Sequence, residues 1–291
     1  MATLDAKLLD YLDAMRCVRC GGQLKLAETF LRCAACSHQF PIADGVPLIL
    51  DDQDRAERPT AGHMEALFRF PSLYRMKINL LRRLNTTAEL TLAHFLQQKR
   101  VVDVGCGPFI YGYDATLPRS IVGLDLSAEF VRAIGDRDPA NLYVVANARK
   151  IPFADKTFDI AFLCFVIHHV PGDTAPLLHE VARVTRNHLI IFDHVRSDVA
   201  WKRNVQTAYW NLLDSGHHYN TLGEWDELLR PYCVVEFLRT GRMFGNVCEI
   251  VLDLRGSDRS PAPLRPQRIT ASRIGGALKQ RHLLGKRHQQ G

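Results

Sequence analysis

No segment of this sequence approaches the ~18 uninterrupted apolar residues that a membrane-spanning helix requires. The N-terminus, MATLDAKLLDYLDAMRC, lacks the basic stretch followed by an apolar one that marks a secretory leader. Both absences lead to the expectation of a soluble, cytoplasmic protein with no membrane partner. Also missing are the GxxxxGK[ST] loop of nucleoside triphosphate sites and the GxGxxG turn of dinucleotide sites. There is no internal repeat. Excess charge is absent from most of the chain. The total is +6, but eight Lys or Arg and one Asp lie from Gly256 to Gly291, so the residues before them sum to −1. The basicity belongs to a tail rich in Pro, Gly, Ser and Gln, whose composition predicts disorder.

Without a secretory context disulfides are not expected, and the eight cysteines fall into two sets. Cys106, Cys164, Cys233 and Cys248 are scattered among apolar neighbours and read as buried small hydrophobes. Cys17-x-x-Cys20 and Cys33-x-x-Cys36 are two knuckles separated by twelve residues. Such knuckles can place four thiolates tetrahedrally around zinc, and four sulfurs leave no open position, so the metal is expected to be structural. Between them, QLKLAETFLR alternates as a β-hairpin does. His38 is surplus to the four sulfurs.

A short amphipathic helix is expected over Leu4–Met15, and a polar linker from Asp51 to Pro59. Two helical patterns follow from Ala61 to Leu96, broken near Pro71 and at Asn85–Thr87. Strand-like runs then appear at Arg100–Val104, Ser120–Leu124, Leu142–Ala146, Thr157–Cys164 and His188–Phe192. Helical patterns such as Ala128–Ile134 and Ala175–Val184 separate them, which implies a mostly parallel sheet covered on both faces. Two more strands are expected at Val234–Arg239 and Val247–Leu254. The expected domains are 1–55 (zinc-binding), 56–98 (helical connector and lid), 99–255 (α/β) and 256–291 (basic tail).

Ligands of doubly wound sheets sit beyond the C-terminal strand ends. There the first strand runs into Asp103-Val-Gly105-Cys106-Gly107, and glycine lets a ligand press against main chain. The second strand ends in Asp125, 22 residues after Asp103, whose carboxylate has two acceptor oxygens for the two hydroxyls of a ribose.

From Arg100 to Asp193, VVDVGCG, GLDLS, NARKIPFADKTFDIAFLCFVIHHV and LLHEVARVTRNHLIIFDH resemble, in order, the motifs of class I S-adenosylmethionine-dependent methyltransferases. The resemblance implies a Rossmann-like, doubly wound α/β fold with a seven-stranded sheet, the last strand antiparallel, and S-adenosylmethionine as cofactor. Carried over by position, Gly105 and Gly107, with Cys106 between them, would line the methionine part. Asp103 would lie near its ammonium group, and Asp125, with Leu126 beside it, would hold the ribose. Asn147 and Ala148 would meet the adenine amine, and Phe165 would face the cofactor. Two positions depart from the family pattern. Asn147 stands where Asp is usual, although its carbonyl oxygen still accepts from an amine, and Phe109 stands where a third glycine is frequent. The N-terminal LLDYLDAMRCVRCGGQL…LRCAACSHQFPIADGVPLIL is similar to zinc-ribbon domains of the Trm112-like type, found alone as methyltransferase activators or fused to a methyltransferase.

Methyl transfer from a sulfonium is an in-line displacement, so the protein positions the nucleophile and, for a hydroxyl or amine, removes a proton. Histidines titrate near neutral pH. His168 and His169 follow the fourth strand, His194 ends the fifth, and His217-His218 lie in the insertion after it. His194, His169 and His218 are the candidate bases, His194 favoured because Asp193 beside it could orient an imidazole. Capping or packing roles remain open for all of them. Trp201, Tyr209, Trp210, Tyr219 and Trp225 crowd the same insertion. The expected reaction is O-, N- or C-methylation of a small molecule in an enclosed pocket. The alternative is an RNA base, held by the basic tail and KINLLRRL (Lys77–Leu84). Against it, Cys164-Phe165 stands where amino-group methyltransferases carry Asn/Asp-Pro-Pro-aromatic. A third reading, a noncatalytic activating scaffold, is opposed by the presence of Asp103, Gly105, Gly107 and Asp125 together.

Overall fold

The computed structural model describes residues 2–56, 93–108, 117–213, 216–240, 247–255 and 267–268, with residues 70, 72–73, 76 and 80. Helix α1 (Ala2–Leu12) leads into a ribbon of four strands, β1 (Leu24–Leu26), β2 (Phe30–Cys33), β3 (Gln39–Ala43) and β4 (Val46–Ile49). Each ribbon strand pairs antiparallel with the next, so the hairpin expected between the knuckles is formed by β1 and β2. The acidic stretch expected as a linker begins with a short helix, α2 (Asp52–Ala56). Asp51 caps it: its Oδ1 accepts from the Asp54 N–H at 2.8 Å, and Asp54 Oδ2 accepts from the Asp51 N–H at 3.0 Å. This reciprocal pair satisfies two donors at the helix start.

After α3 (Ala93–Leu96) come β5 (Arg100–Val104), β6 (Ser120–Asp125), α4 (Ala128–Gly135), β7 (Leu142–Ala146), β8 (Phe158–Cys164), α5 (Ala175–Val184) and β9 (Thr185–His194). The insertion holds α6 (Ala200–Leu213) and α7 (Leu222–Leu229), followed by β10 (Cys233–Thr240) and β11 (Val247–Asp253). β7, β6, β5, β8 and β9 are parallel neighbours in that order. β11 runs antiparallel between β9 and β10. These seven strands make the expected α/β sheet with its antiparallel last strand. β9 extends further than its apolar run because β11 pairs with it up to His194 and β8 pairs with its start at Thr185.

The N-terminal part is not a separate bead. β4 pairs in parallel with β7, Leu48 opposite Val145 and Ile49 opposite Ala146, so one ladder of twelve strands runs through the described residues. Every residue of β7 (LYVVA) is buried. Left as an edge, so apolar a strand would template aggregation, and β4 covers it. The cores merge too. Leu8, Tyr11, Met15, Leu24, Phe40 and Ile49 belong to one cluster with Val102, Phe153 and Phe158. Tyr11 stacks on Phe158 and bonds Ser120 Oγ at 2.7 Å, and Met15 forms a bridge with Phe153. A ribbon of this size buries only a small core of its own, and docking on the sheet enlarges it.

The tail, expected to be disordered, contributes β12 (Gln267–Arg268), parallel to β10. The remainder of 256–291, KINLLRRL apart from Leu80, Phe109 and most of the 56–98 connector lie outside the described residues. No helix among the described residues is long and apolar enough to cross a membrane.

Candidate functional site

The glycine turn is built differently at its two glycines. The N–H groups of Gly105 and Cys106 both donate to Leu124 O, at 2.7 and 3.0 Å, tying the turn to β6. Gly105 (φ +72°) and Gly107 (φ +61°) are left-handed. A Cβ at Gly105 would lie 2.5 Å from Val166 Cγ2, whereas one at Gly107 would meet nothing within 4 Å. Gly105 is therefore required by packing, and Gly107 is the position where backbone stands bare. Gly105→Ala should cost about 2–4 kcal/mol, overpacking added to backbone strain, and Gly107→Ala only ~1–2 kcal/mol, strain alone. Denaturant unfolding of both variants measures the difference.

Asp125 closes the turn from the other side. Its Oδ2 accepts from the Gly107 N–H at 3.0 Å and its Oδ1 from the Ser127 N–H at 2.9 Å, leaving a further lone pair on each oxygen. Burial pushes its pKa up against those two hydrogen bonds. Asp103 is buried at the end of β5. The Cys106 thiol packs with Val131 and Tyr143 in an apolar cluster, and burial, Asp125 and Asp103 all push its pKa up, so it remains a neutral thiol.

Asn147 follows β7 by one position. Its Nδ2 donates to Asp54 Oδ1 at 2.7 Å and its Oδ1 accepts from the Arg149 N–H at 2.9 Å. Lys150 bonds Asp51 and lies 3.8 Å from Asp54. Burial raises the Asp51 pKa, but the Lys150 ammonium and the Asp54 N–H outweigh it and bring the carboxyl down to about 2. Nothing in the sequence pattern announced Asp54 as a neighbour of Asn147.

Beyond β8 and β9 the histidines converge. Phe165 is left-handed (φ +57°), a strained conformation for an aromatic residue, and its ring lies 5.0 Å from that of His194. The turn Ile167–His169 places the His168 ring 4.1 Å from His169 and 4.7 Å from His194. Asp193, which adjoins His194 in sequence, orients His168 instead. Its Oδ1 lies 2.6 Å from His168 Nδ1, and its Oδ2 accepts from the Ile167 N–H at 2.9 Å. The N–H groups of His217 and His218 point to the His168 carbonyl. Trp210, Tyr219 and Trp225 are buried around this cluster, while Trp201 and Tyr209 are exposed on α6. Trp210 and Tyr219 flank His194, and Trp225 Nε1 donates to its carbonyl.

Two of these groups carry a pH signature. Burial raises the Asp193 pKa, but His168 and the His194 N–H outweigh it, so the net shift is downward. Burial lowers the pKa of His218, against the opposing pull of Asp193. Both groups bind more protons when unfolded, so their stability is present at high pH. It erodes for His218 as pH falls below about 6.5 and for Asp193 below about 4. Melting temperature should fall with acidification through both ranges, and Asp193→Asn should flatten the lower one.

In the ribbon, the four sulfurs of Cys17, Cys20, Cys33 and Cys36 lie within 4.8 Å of one another. Cys17 Sγ to Cys36 Sγ is 3.8 Å and Cys20 Sγ to Cys33 Sγ is 3.5 Å. Zinc–sulfur bonds of ~2.3 Å in a tetrahedron set sulfurs about 3.8 Å apart, so the donor set and spacing fit a zinc ion. His38 instead pairs with Arg19 and lies against Phe40.

Residues 102–192 match the family model described as a methyltransferase domain. A UPF0434 protein of Stutzerimonas stutzeri is 44% identical over 54 residues, which is 18% of this chain and 84% of that protein. The chain joins a UPF0434-family segment to a methyltransferase domain. Two malonyl-[acyl-carrier protein] O-methyltransferases are also similar. That of Hamiltonella defensa is 26% identical over 137 residues (46% of this chain, 51% of the relative). That of Legionella pneumophila is 30% identical over 129 residues (42% and 44%). The chain thus spans about half the length of these curated methyltransferases. The methyltransferase domain contains the glycine turn, Asp125, Asn147 and the His168 turn; Asp193 and His194 directly follow the match.

Proposed function

We propose that this protein transfers a methyl group from S-adenosylmethionine to a small-molecule or carrier-bound acceptor beyond the ends of β8 and β9. The observation that supports this reading most is the Asp125 carboxylate standing beside the open backbone of Gly107. In this reading Asp125 takes the ribose hydroxyls, with Leu126 beside it, Gly105 and Gly107 border the methionine part, and Asp103 faces the ammonium. Cys106 takes part through backbone, since its thiol belongs to the core. Asn147 and Ala148 meet the adenine, and Phe165 walls the cleft. S-adenosylmethionine, when bound, supplies the electrophilic methyl of its sulfonium.

His194, His169 and His218 are retained as proton acceptors, and His168 joins them. Asp193 accepts the Nδ1 proton of His168, which leaves Nε2 as its basic atom. The lowered pKa of His218 keeps its ring neutral and able to accept a proton near neutrality. The names of the two curated relatives point to the oxygen of a carrier-bound carboxylate. Such an acceptor is already a nucleophile, and the histidines would then orient it. In the ribbon we assign a structural zinc to Cys17, Cys20, Cys33 and Cys36.

Incubating the protein with methyl-labelled S-adenosylmethionine and separate pools of malonyl carrier protein, small acids and alcohols, and RNA tests the reading. Label in a carrier or small-molecule pool is expected. Label confined to RNA would transfer the site to the other substrate class, and no label in any pool, with no binding of the cofactor, would remove the enzymatic reading.

A further inference from the structure

We infer that Asp54, supplied by the segment just after the N-terminal ribbon, is the positioning residue that makes Asn147 a reader of adenine. This rests on the proposed adenine role of Asn147. An amide can be turned either way, but here its two ends face groups of opposite character. Asp54 Oδ1 can only accept and the Arg149 N–H can only donate, so Nδ2 must face Asp54 and Oδ1 must face Arg149. The fixed amide keeps one Oδ1 lone pair and one Nδ2 hydrogen. That pair complements the 6-amino donor and ring-nitrogen acceptor of adenine and mismatches the 6-oxo acceptor and N–H donor of hypoxanthine.

Asp54 is itself held. It is 3% exposed, its second oxygen accepts from the Asp51 N–H, and Lys150 stands 3.8 Å away. β4 delivers it, since the pairing of Ile49 with Ala146 sets α2 against the end of β7. The same contact accounts for an amide rather than a carboxylate at position 147. The carboxylate introduced by Asn147→Asp would oppose Asp54 across the 2.7 Å now spanned by the amide hydrogen bond, and two carboxylates so close cannot both stay ionised without a large penalty. In this chain the carboxylate resides on Asp54 and the amide on Asn147.

The test uses full-length Asp54→Asn, Asn147→Asp, the double exchange and Asp54→Ala. Each is titrated by calorimetry with S-adenosylhomocysteine and with its inosine counterpart, and each is melted. Asn147→Asp alone should weaken S-adenosylhomocysteine by at least about tenfold, the worth of one hydrogen bond, and lower the melting temperature. Adding Asp54→Asn should restore the melting temperature, because the amide and carboxylate have exchanged places, while affinity stays below that of the parent, since a carboxylate at position 147 has no hydrogen to give the ring nitrogen. Asp54→Ala should reduce the preference for the adenine nucleoside over the inosine one by about tenfold, a ratio that a purely structural role would leave alone. The inference is overturned if Asn147→Asp binds as tightly as the parent, if the double exchange fails to restore the melting temperature, or if the Asp54→Ala ratio is unchanged. Failure of the parent itself to bind S-adenosylhomocysteine would reject the cofactor reading. The four melts then still judge the pair, with additive losses overturning it and rescue upholding the contact.

Discussion

Asp125→Ala should abolish measurable S-adenosylhomocysteine binding while leaving the chain folded. Both oxygens of this carboxylate already accept one backbone N–H each, and a carboxylate oxygen has capacity for a further donor, here beside the bare turn at Gly107. Two ribose hydroxyls donating to a charged acceptor contribute roughly 1.5–3 kcal/mol apiece, so their joint loss weakens binding about 10²–10⁴-fold. The fold loses less. Alanine strands the Gly107 and Ser127 N–H groups, at about 1–3 kcal/mol each, but it also removes a carboxyl whose burial is itself unfavourable. Asp125→Asn separates the two effects. The amide oxygen keeps an acceptor for the backbone but cannot serve two hydroxyls, so stability should largely recover and affinity should not. Calorimetric titration beside thermal melts of both variants reads this. Binding by Asp125→Ala within threefold of the parent would show that the ribose lies elsewhere.

Cys33→Ser, or a strong zinc chelator, should release the ribbon and with it the edge of the large sheet. Structural zinc contributes about 10–16 kcal/mol to small zinc domains, as much as the ~5–15 kcal/mol by which whole domains are stable. The consequence does not stop at the ribbon, because Ile49, Met15 and Tyr11 are core residues shared with Phe153 and Phe158. Each such side chain contributes about 1.5–3 kcal/mol through burial. Their withdrawal, and the exposure of β7, should lower the melting temperature by more than ~10 °C and promote aggregation. Asp54 would leave Asn147 at the same time, so cofactor affinity should fall as well. Cys164→Ser, outside the cluster, should do neither. Metal content by elemental analysis should be one zinc per chain. A preparation that contains no metal and melts identically with and without chelator would contradict the assignment.

The seven strands were legible because their apolar runs are bounded by glycine, proline or charged turns. Even the antiparallel last strand followed once the resemblance was recognised. The four-cysteine cluster was legible for a different reason: paired knuckles have few other uses. Four features were not legible. The parallel pairing of β4 with β7 leaves no local mark, since VPLI reads the same whether its partner is in the ribbon or far along the chain. Helix α7 hid in an aromatic insertion, although Thr221 and Glu224 form a capping box that a search for its spacing would have found. The hydrogen bond between Asp193 and His168 was hidden because the two lie 25 residues apart, whereas sequence shows only that Asp193 adjoins His194. Asp54 was missed for a related reason. An acidic residue in a polar stretch reads as solvated, and only the docked ribbon buries it.

Calorimetric titration of the unaltered, metal-loaded protein with S-adenosylhomocysteine tests the central claim most directly. The account predicts one binding event per chain, saturable, and lost in Asp125→Ala. A flat titration from a protein shown by its melt to be folded would contradict it.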